Sequence, residues 1–166
     1  MNIDISPEAI RMFNKERPND INVLCGVTEV AGGHEYFSFS DPAVNSLDVI
    51  QAQRWMNKGW IHYLGKVKVQ TYPLREIIRK HLSTSQHIDL LTVDVEGYDL
   101  EVLHSNDWIT YRPSIVVIED NHFNFRKPIK SKIYTFLLEK EYALYSRSGP
   151  SLIFVDTRVP VSVFGG

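Results

Sequence analysis

Apolar and polar positions alternate along the chain in short runs, some with the two-residue period of a strand and others with the period of a helix. Asn2 to Ile5 reads as the tail of a strand, and Ser6-Pro7-Glu8 opens a helix with an N-cap serine, a proline in the first turn and an early acid. Ile10 and Phe13, with Met12 beside them, give that helix a short apolar stripe, and it ends near Arg17-Pro18. Ile21 to Val27 predicts a second strand. Gly32-Gly33 reads as a turn, and His34 to Ser40, with Tyr36, Phe37 and Phe39, suits one arm of an antiparallel hairpin. Asp41 to Ser46 is polar and reads as loop, while 47–64 fits either a helix and turn or a flap over a site, with Leu47, Ile50, Trp55, Trp60 and Ile61 as its apolar positions. Lys66 to Thr71 alternates as a half-exposed strand, and Tyr72-Pro73-Leu74 leads into a helix through His81 with Leu74, Ile77 and Ile78 on its inner face.

The chain is organised around Ile88 to Gly97, an apolar run that ends in Asp94, Glu96 and a glycine. The run predicts a strand covered on both faces, as in a parallel sheet. Side chains alternate along a strand, so Asp94 and Glu96 share one face if the extended geometry persists. Gly97 permits a sharp turn, and Tyr98 to Trp108 has helical character with Asp99 and Glu101 in its first turn, where negative charge is favoured. In open α/β sheets ligands bind beyond the carboxyl ends of the strands, where these two carboxylates would lie. Arg112-Pro113 then breaks the chain, and Ser114 to Asp120 predicts another buried strand ending in acids. Asn121 to Pro128 reads as a polar loop holding His122, and Lys130 to Glu141 as a helix burying Ile133, Phe136 and Leu137. Tyr142 to Arg147 and Ser151 to Asp156 form a closing hairpin, and 158–166 reads as a loose tail.

Length and composition narrow the class. A chain of 166 residues, 43% of them apolar, suits a single domain spanning 1–166 with a substantial core, and no repeat marks a second one. The net charge of -2 comes from acids and bases spread evenly, which argues against a nucleic-acid partner. Cys25 stands alone in an apolar stretch and reads as a small buried hydrophobe, with no intramolecular disulfide and no thiolate cluster for zinc. No apolar run reaches the length of a membrane span, and Met1 is followed by Asn2 and Asp4 instead of a basic and then apolar leader. The expectation is a cytoplasmic protein without a membrane partner.

The run Ile88 to Leu103, with Asp94-Val95-Glu96-Gly97 at its centre, resembles the signature of the FkbM family of S-adenosylmethionine-dependent methyltransferases. Asn2 to Asn19 is similar to that family's second strand and following helix, Asn22 to Gly26 to its third strand, and Val67 to Ile78 to the segment before the signature. Pro113 to Glu119 is similar to its fifth strand and Tyr142 to Val155 to its closing hairpin. The resemblance implies an α/β, three-layer sandwich of the Rossmann-like class I methyltransferase fold, mostly parallel, with an antiparallel strand near the carboxyl end. It implies S-adenosylmethionine as cofactor and a hydroxyl of a sugar, glycan or polyketide as acceptor. The family's first strand and its glycine-rich turn have no counterpart before Met1, and Gly32-Gly33 is no substitute, so an amino-terminally shortened member is expected.

Carried over residue by residue, Asp4 falls where the family has an acid that accepts hydrogen bonds from the cofactor ribose, whose hydroxyls a carboxylate can accept together. Gly26 and Val27 fall near the adenine. Asp94 and Glu96 fall beside the methyl donor or the acceptor, and Asp94 is counted with the cofactor-binding residues as well as the catalytic ones. Methyl transfer from a sulfonium needs the acceptor oxygen aligned and its proton removed. Glu119 and His122 are the remaining candidates for that proton.

Competing readings remain for the same residues. Asp94 and Glu96 could cap the following helix or pair with arginines, Asp4 could serve only a turn, and His122 could be a solvated loop residue. Trp55, Trp60 and Trp108 read as packing residues. Asp94, Glu96 and Glu119 could bind a hard divalent cation, for which three carboxylates without a fixed geometry are weak evidence. Asp94-Val95-Glu96 could also be the acid pair of a nucleotide-sugar glycosyltransferase. The chief alternative to the enzyme is an inactive remnant or interaction module of the same fold, self-associating through an exposed sheet edge.

Overall fold

The computed structural model describes residues 1–158; the tail expected at 158–166 otherwise lies outside the described residues, and Arg158 itself is tied to Asp156 by a backbone N–H bond of 3.0 Å. The chain is a mixed α/β protein that divides into two compact units, one made of Met1–Ser83 with Val95–Asn106 and the other of Thr84–Asp94 with the chain from Asp107 onward.

In the first unit, β1 (Asn2–Asp4) pairs in parallel with β2 (Asn22–Leu24), and α1 (Pro7–Glu16) connects them. Ser6 caps α1 as its sequence requires, accepting the N–H of Ala9 at 3.3 Å. The strand expected over Ile21 to Val27 is broken at Cys25, whose N–H goes back to the Asp4 carbonyl at 3.0 Å, and resumes as β3 (Gly26–Val27) in a different sheet. That sheet has the order β3-β5-β4, where β4 is Gly32–Phe39 and β5 is Tyr63–Tyr72.

One expectation is corrected here. Gly32 and Gly33 lie inside β4, opposite Thr71 and Gln70, because the antiparallel ladder with β5 runs through them. The chain reverses earlier, where Thr28 Oγ1 donates to the Val30 carbonyl at 2.9 Å. The ambiguous 47–64 segment resolves into α2 (Val49–Met56), capped by the Asp48 side chain, and the start of β5. Phe37, Phe39, Val44, Ala52 and Ile61 form the core beneath it, with Trp55 packed against them, whereas Trp60 only meets the edge of Trp55 and stays 65% exposed. The loop reading of Asp41 to Ser46 contains a short 3-10 turn at Pro42–Val44. α3 (Leu74–His81) buries Leu74, Ile77 and Ile78 as expected, and α4 (Asp99–His104) closes this unit. α4 is shorter than its sequence suggests because Ser105 ends it, turning its hydroxyl back onto the Val102 carbonyl at 2.7 Å.

The second unit is one four-stranded sheet, β6-β7-β9-β8, with α5 (Lys132–Glu139) beside it. β6 (Ile88–Val93) runs parallel to β7 (Pro113–Glu119), and β8 (Tyr142–Ser148) and β9 (Ser151–Asp156) form the antiparallel closing hairpin. Leu137, Tyr142, Phe154, Val116 and Ile118 are its buried centre, and Trp108 stacks edge-on against both Phe136 and Tyr142. β6 departs from expectation. Among the described residues it pairs on one side only, which makes it an edge strand, and with Leu90 54% exposed it is not covered on both faces either. Nor is the pairing mostly parallel: the described ladders comprise three parallel and three antiparallel ones.

Candidate active site

The register between β6 and β7 builds the acidic pair. Val93 lies opposite Ile118, so the next residues, Asp94 and Glu119, leave the carboxyl ends of two adjacent parallel strands side by side. Their carboxylate oxygens come within 4.8 Å of one another. Burial raises the pKa of Glu119 above the usual carboxylate value, and the neighbouring charges of Asp94 and Asp120 add to that, against a hydrogen bond from Asn121. A carboxylate shifted in this direction holds a proton more readily than an ordinary one and is a stronger base when ionised. His122 lies in the turn after β7, exposed, with its backbone N–H on Asp120 Oδ1 at 3.0 Å; its ring makes no hydrogen bond or ion pair among the described residues. The sequence pattern placed Asp94 and Glu119 correctly at strand ends, and the structure leaves His122 apart from their contact.

Glu96 belongs to the first unit, and its placement corrects the expectation that it shares a strand face with Asp94. β6 ends at Val93, and Glu96 takes a left-handed backbone with φ of 51°, followed by Gly97 at 101°. Alternation therefore stops before it applies. The turn is held by side chains: the Asp99 carboxylate accepts the N–H of Val95 at 3.3 Å and of Gly97 at 3.2 Å, and Ser46 Oγ donates to the Glu96 carbonyl at 2.7 Å. Gly97 is required on two counts, its positive φ and a Cβ position only 2.9 Å from Gln51 Cγ and 3.3 Å from Asp48 Oδ2. Ser46 and Asp99 went unrecognised from sequence. For Asp99 there was a signal, an acid two residues after a glycine at a helix start, but it reads first as a charge favouring the helix dipole.

The residues expected near a cofactor, Asp4, Gly26 and Val27, gather in the first unit. Asp4 ends β1 beside Leu24, and Gly26 starts two residues after β2. Asp4 Oδ1 accepts the Ser6 N–H at 2.7 Å, so the turn role that competes with a binding role is present, and it occupies one carboxylate oxygen. Gly26 is packed by its own chain: a Cβ there would meet Ile5 Cδ1 and Thr71 Cγ2, both at 2.9 Å. Its missing side chain thus serves packing. Val27 pairs with Tyr72 on β5.

Cys25 fits the buried hydrophobe expected of it, and burial pushes its thiol up to about 11, with Lys80 opposing. It lines, with Val23, Leu24, Ile77 and Lys80, a cleft of about 480 Å³ between β2 and α3 that holds none of the candidate catalytic residues. No helix among the described residues is long and apolar enough to cross a membrane.

Residues 2–144 match the model of the methyltransferase FkbM domain, a stretch that takes in both acidic strand ends, the Glu96 turn and Asp4. No curated protein and no solved structure matches the chain. With nearly the whole described chain inside that match, the protein belongs to the FkbM methyltransferase family, whose members use a methyl donor of the S-adenosylmethionine type.

Proposed function

We propose that the protein is an S-adenosylmethionine-dependent O-methyltransferase of the Rossmann-like class I type that methylates a hydroxyl of a sugar, glycan or polyketide in the cytoplasm. The observation that supports this best is the Asp94–Glu119 pair at the carboxyl ends of adjacent parallel strands, with Glu119 shifted toward the behaviour of a base. The residues suit the donor chemically. Its sulfonium is cationic and its ribose hydroxyls are hydrogen-bond donors, and Asp4 and Asp94 are acceptors that carry negative charge.

In this reading S-adenosylmethionine supplies the methyl group as an electrophile. Asp4 accepts a ribose hydroxyl through the oxygen that Ser6 leaves open, Gly26 and Val27 border the adenine, and Asp94 faces the donor's positive charge. With the donor bound, Glu119 would accept the proton that the acceptor hydroxyl gives up as the methyl group passes to its oxygen and S-adenosylhomocysteine leaves as the neutral thioether, and Glu96 and His122 would orient the acceptor.

Calorimetric titration with S-adenosylhomocysteine, the stable demethylated product, tests the donor site. Micromolar binding that Asp94→Asn weakens is the expected result. An absence of heat with a well-folded chain would overturn the enzyme reading.

One observation favours a second reading, an interaction module of the same fold. β6 presents an unpaired edge among the described residues, with Leu90 exposed on it, and such edges recruit further strands. The expected occupant is a second copy of the chain. Sedimentation across a concentration series would then show a dimer that Leu90→Lys abolishes, and a monomer at every concentration would remove this reading.

A further inference from the structure

Glu96 occupies a backbone conformation that its side chain disfavours, and two buried residues hold it there. A non-glycine residue at φ of 51° persists only where its surroundings over-determine it. Here the Glu96 carbonyl receives the Ser46 hydroxyl at 2.7 Å, while the peptide N–H groups on either side, those of Val95 and Gly97, both end on the Asp99 carboxylate. Ser46 is 1% exposed and Asp99 5%, so water does not compete for these bonds.

Ser46 is itself immobilised. Its backbone exchanges two hydrogen bonds with Phe37 of β4, at 2.9 and 3.2 Å, and Phe37 belongs to the core of this unit. Its oxygen also accepts the N–H of Asp48, the cap of α2, at 2.9 Å. Asp48 and Gln51 then close on Gly97 from the other side. The turn therefore rests on β4 and α2, fifty residues away in sequence.

We infer that Ser46 and Asp99 are positioning residues that clamp the Glu96–Gly97 peptide and the Val95 N–H before it, and thereby fix the direction in which the Glu96 side chain leaves the backbone. The inference rests on reading Glu96 as a site residue. The clamp touches no substrate. Its effect is to keep a strained turn from relaxing, so that the Glu96 side chain leaves the backbone in one direction.

Amide hydrogen exchange on the full chain tests it. Ser46→Ala is expected to speed exchange of the Val95 and Gly97 amides by about tenfold or more, with the amides of Ile77 and Ile78 in α3 unchanged. Adding Glu96→Gly should bring the Val95 and Gly97 rates back toward wild type, because glycine takes a positive φ without strain. A hydroxyl that merely supported the fold would speed exchange that glycine does not reverse. Unchanged exchange in Ser46→Ala, or no rescue by Glu96→Gly, overturns the proposal. Should Ser46→Ala fail to fold, Ser46→Cys, whose thiol is a far weaker donor to the Glu96 carbonyl, carries the same two expectations at the same amides. A folded chain that binds no S-adenosylhomocysteine would sink the methyltransferase reading and leave the exchange result standing, so the two fail separately.

Discussion

Arg112 grips Asp156 with two hydrogen bonds, from Nε to Oδ2 at 2.6 Å and from Nη2 to Oδ1 at 2.7 Å, and both side chains are buried within the second unit. The guanidinium lies over the Tyr142 ring, 4.5 Å from its centroid, and the Tyr142 hydroxyl donates to the Pro113 carbonyl. The pair thus ties the start of β7 to the end of β9. Burial acts to raise the Asp156 pKa, but it is outweighed by the Arg112 hydrogen bonds and the Arg158 N–H, leaving Asp156 below the usual carboxylate value.

From that direction follows an acid sensitivity. A carboxyl depressed in the folded state contributes stability above its unfolded pKa of about 3.9 and loses it as pH falls through the lower folded value. Melting temperature should therefore drop below about pH 4, and Asp156→Asn should flatten that limb. At neutral pH, Arg112→Met is expected to cost about 3 kcal/mol, since Asp156 would stay buried with only Arg158 at 3.4 Å for a cation. Urea unfolding of both variants checks the two effects, and a cost near zero for Arg112→Met would contradict the burial argument.

Glu119 has the opposite sign. Its raised pKa means that ionisation is penalised in the folded state, so its contribution is favourable at low pH and is lost as pH rises through the folded value. Glu119→Gln should then melt higher than wild type at pH 7, with the difference closing as the pH is lowered toward 4. A variant that melts lower at pH 7 would mean that a shared proton or a cation bridges Asp94 and Glu119.

Gly97→Ala should destabilise by about 1–3 kcal/mol, the usual cost of forcing a side chain into such a backbone region, with the crowding at Gln51 added. Thermal melts measure it. Wild-type stability in the variant would show that the turn can rearrange freely.

Asp4→Asn separates the turn role from the proposed binding role. The amide oxygen can still accept the Ser6 N–H, so the melting temperature should hold. Loss of the charge should weaken S-adenosylhomocysteine binding about tenfold or more. Equal affinity in the two proteins would leave Asp4 as a turn residue only.

How much of this was legible in the sequence depends on where the deciding contact lies. Ser6-Pro7, the inner face of α3 and the closing hairpin were readable because their signals are local: a cap, a helical period, a glycine between two apolar runs. Asp94 and Glu119 were also readable, as acids ending apolar runs, although their proximity came from a register that neither run encodes alone. The break at Cys25 was not, since Val23-Leu24-Cys25 is apolar on both sides of it and the hydrogen bond to the Asp4 carbonyl that divides it comes from a distant part of the chain. Gly32-Gly33 misled for a related reason, because two glycines signal a turn unless a ladder with a distant strand, here β5, runs through them. The hold of Ser46 on Glu96 spans fifty residues, and no local pattern announces it.

The burial of Cys25 gives the chain an internal chemical gauge. It is the sole cysteine, its thiol is held up to about 11, and its N–H closes the junction after β1 and β2. Alkylating reagents at neutral pH therefore meet almost no thiolate in the closed state. The rate at which such a reagent marks the chain follows how readily the thiol escapes its burial in the cleft between β2 and α3, so a mass-spectrometric time course can report whether a donor analogue tightens that part of the fold.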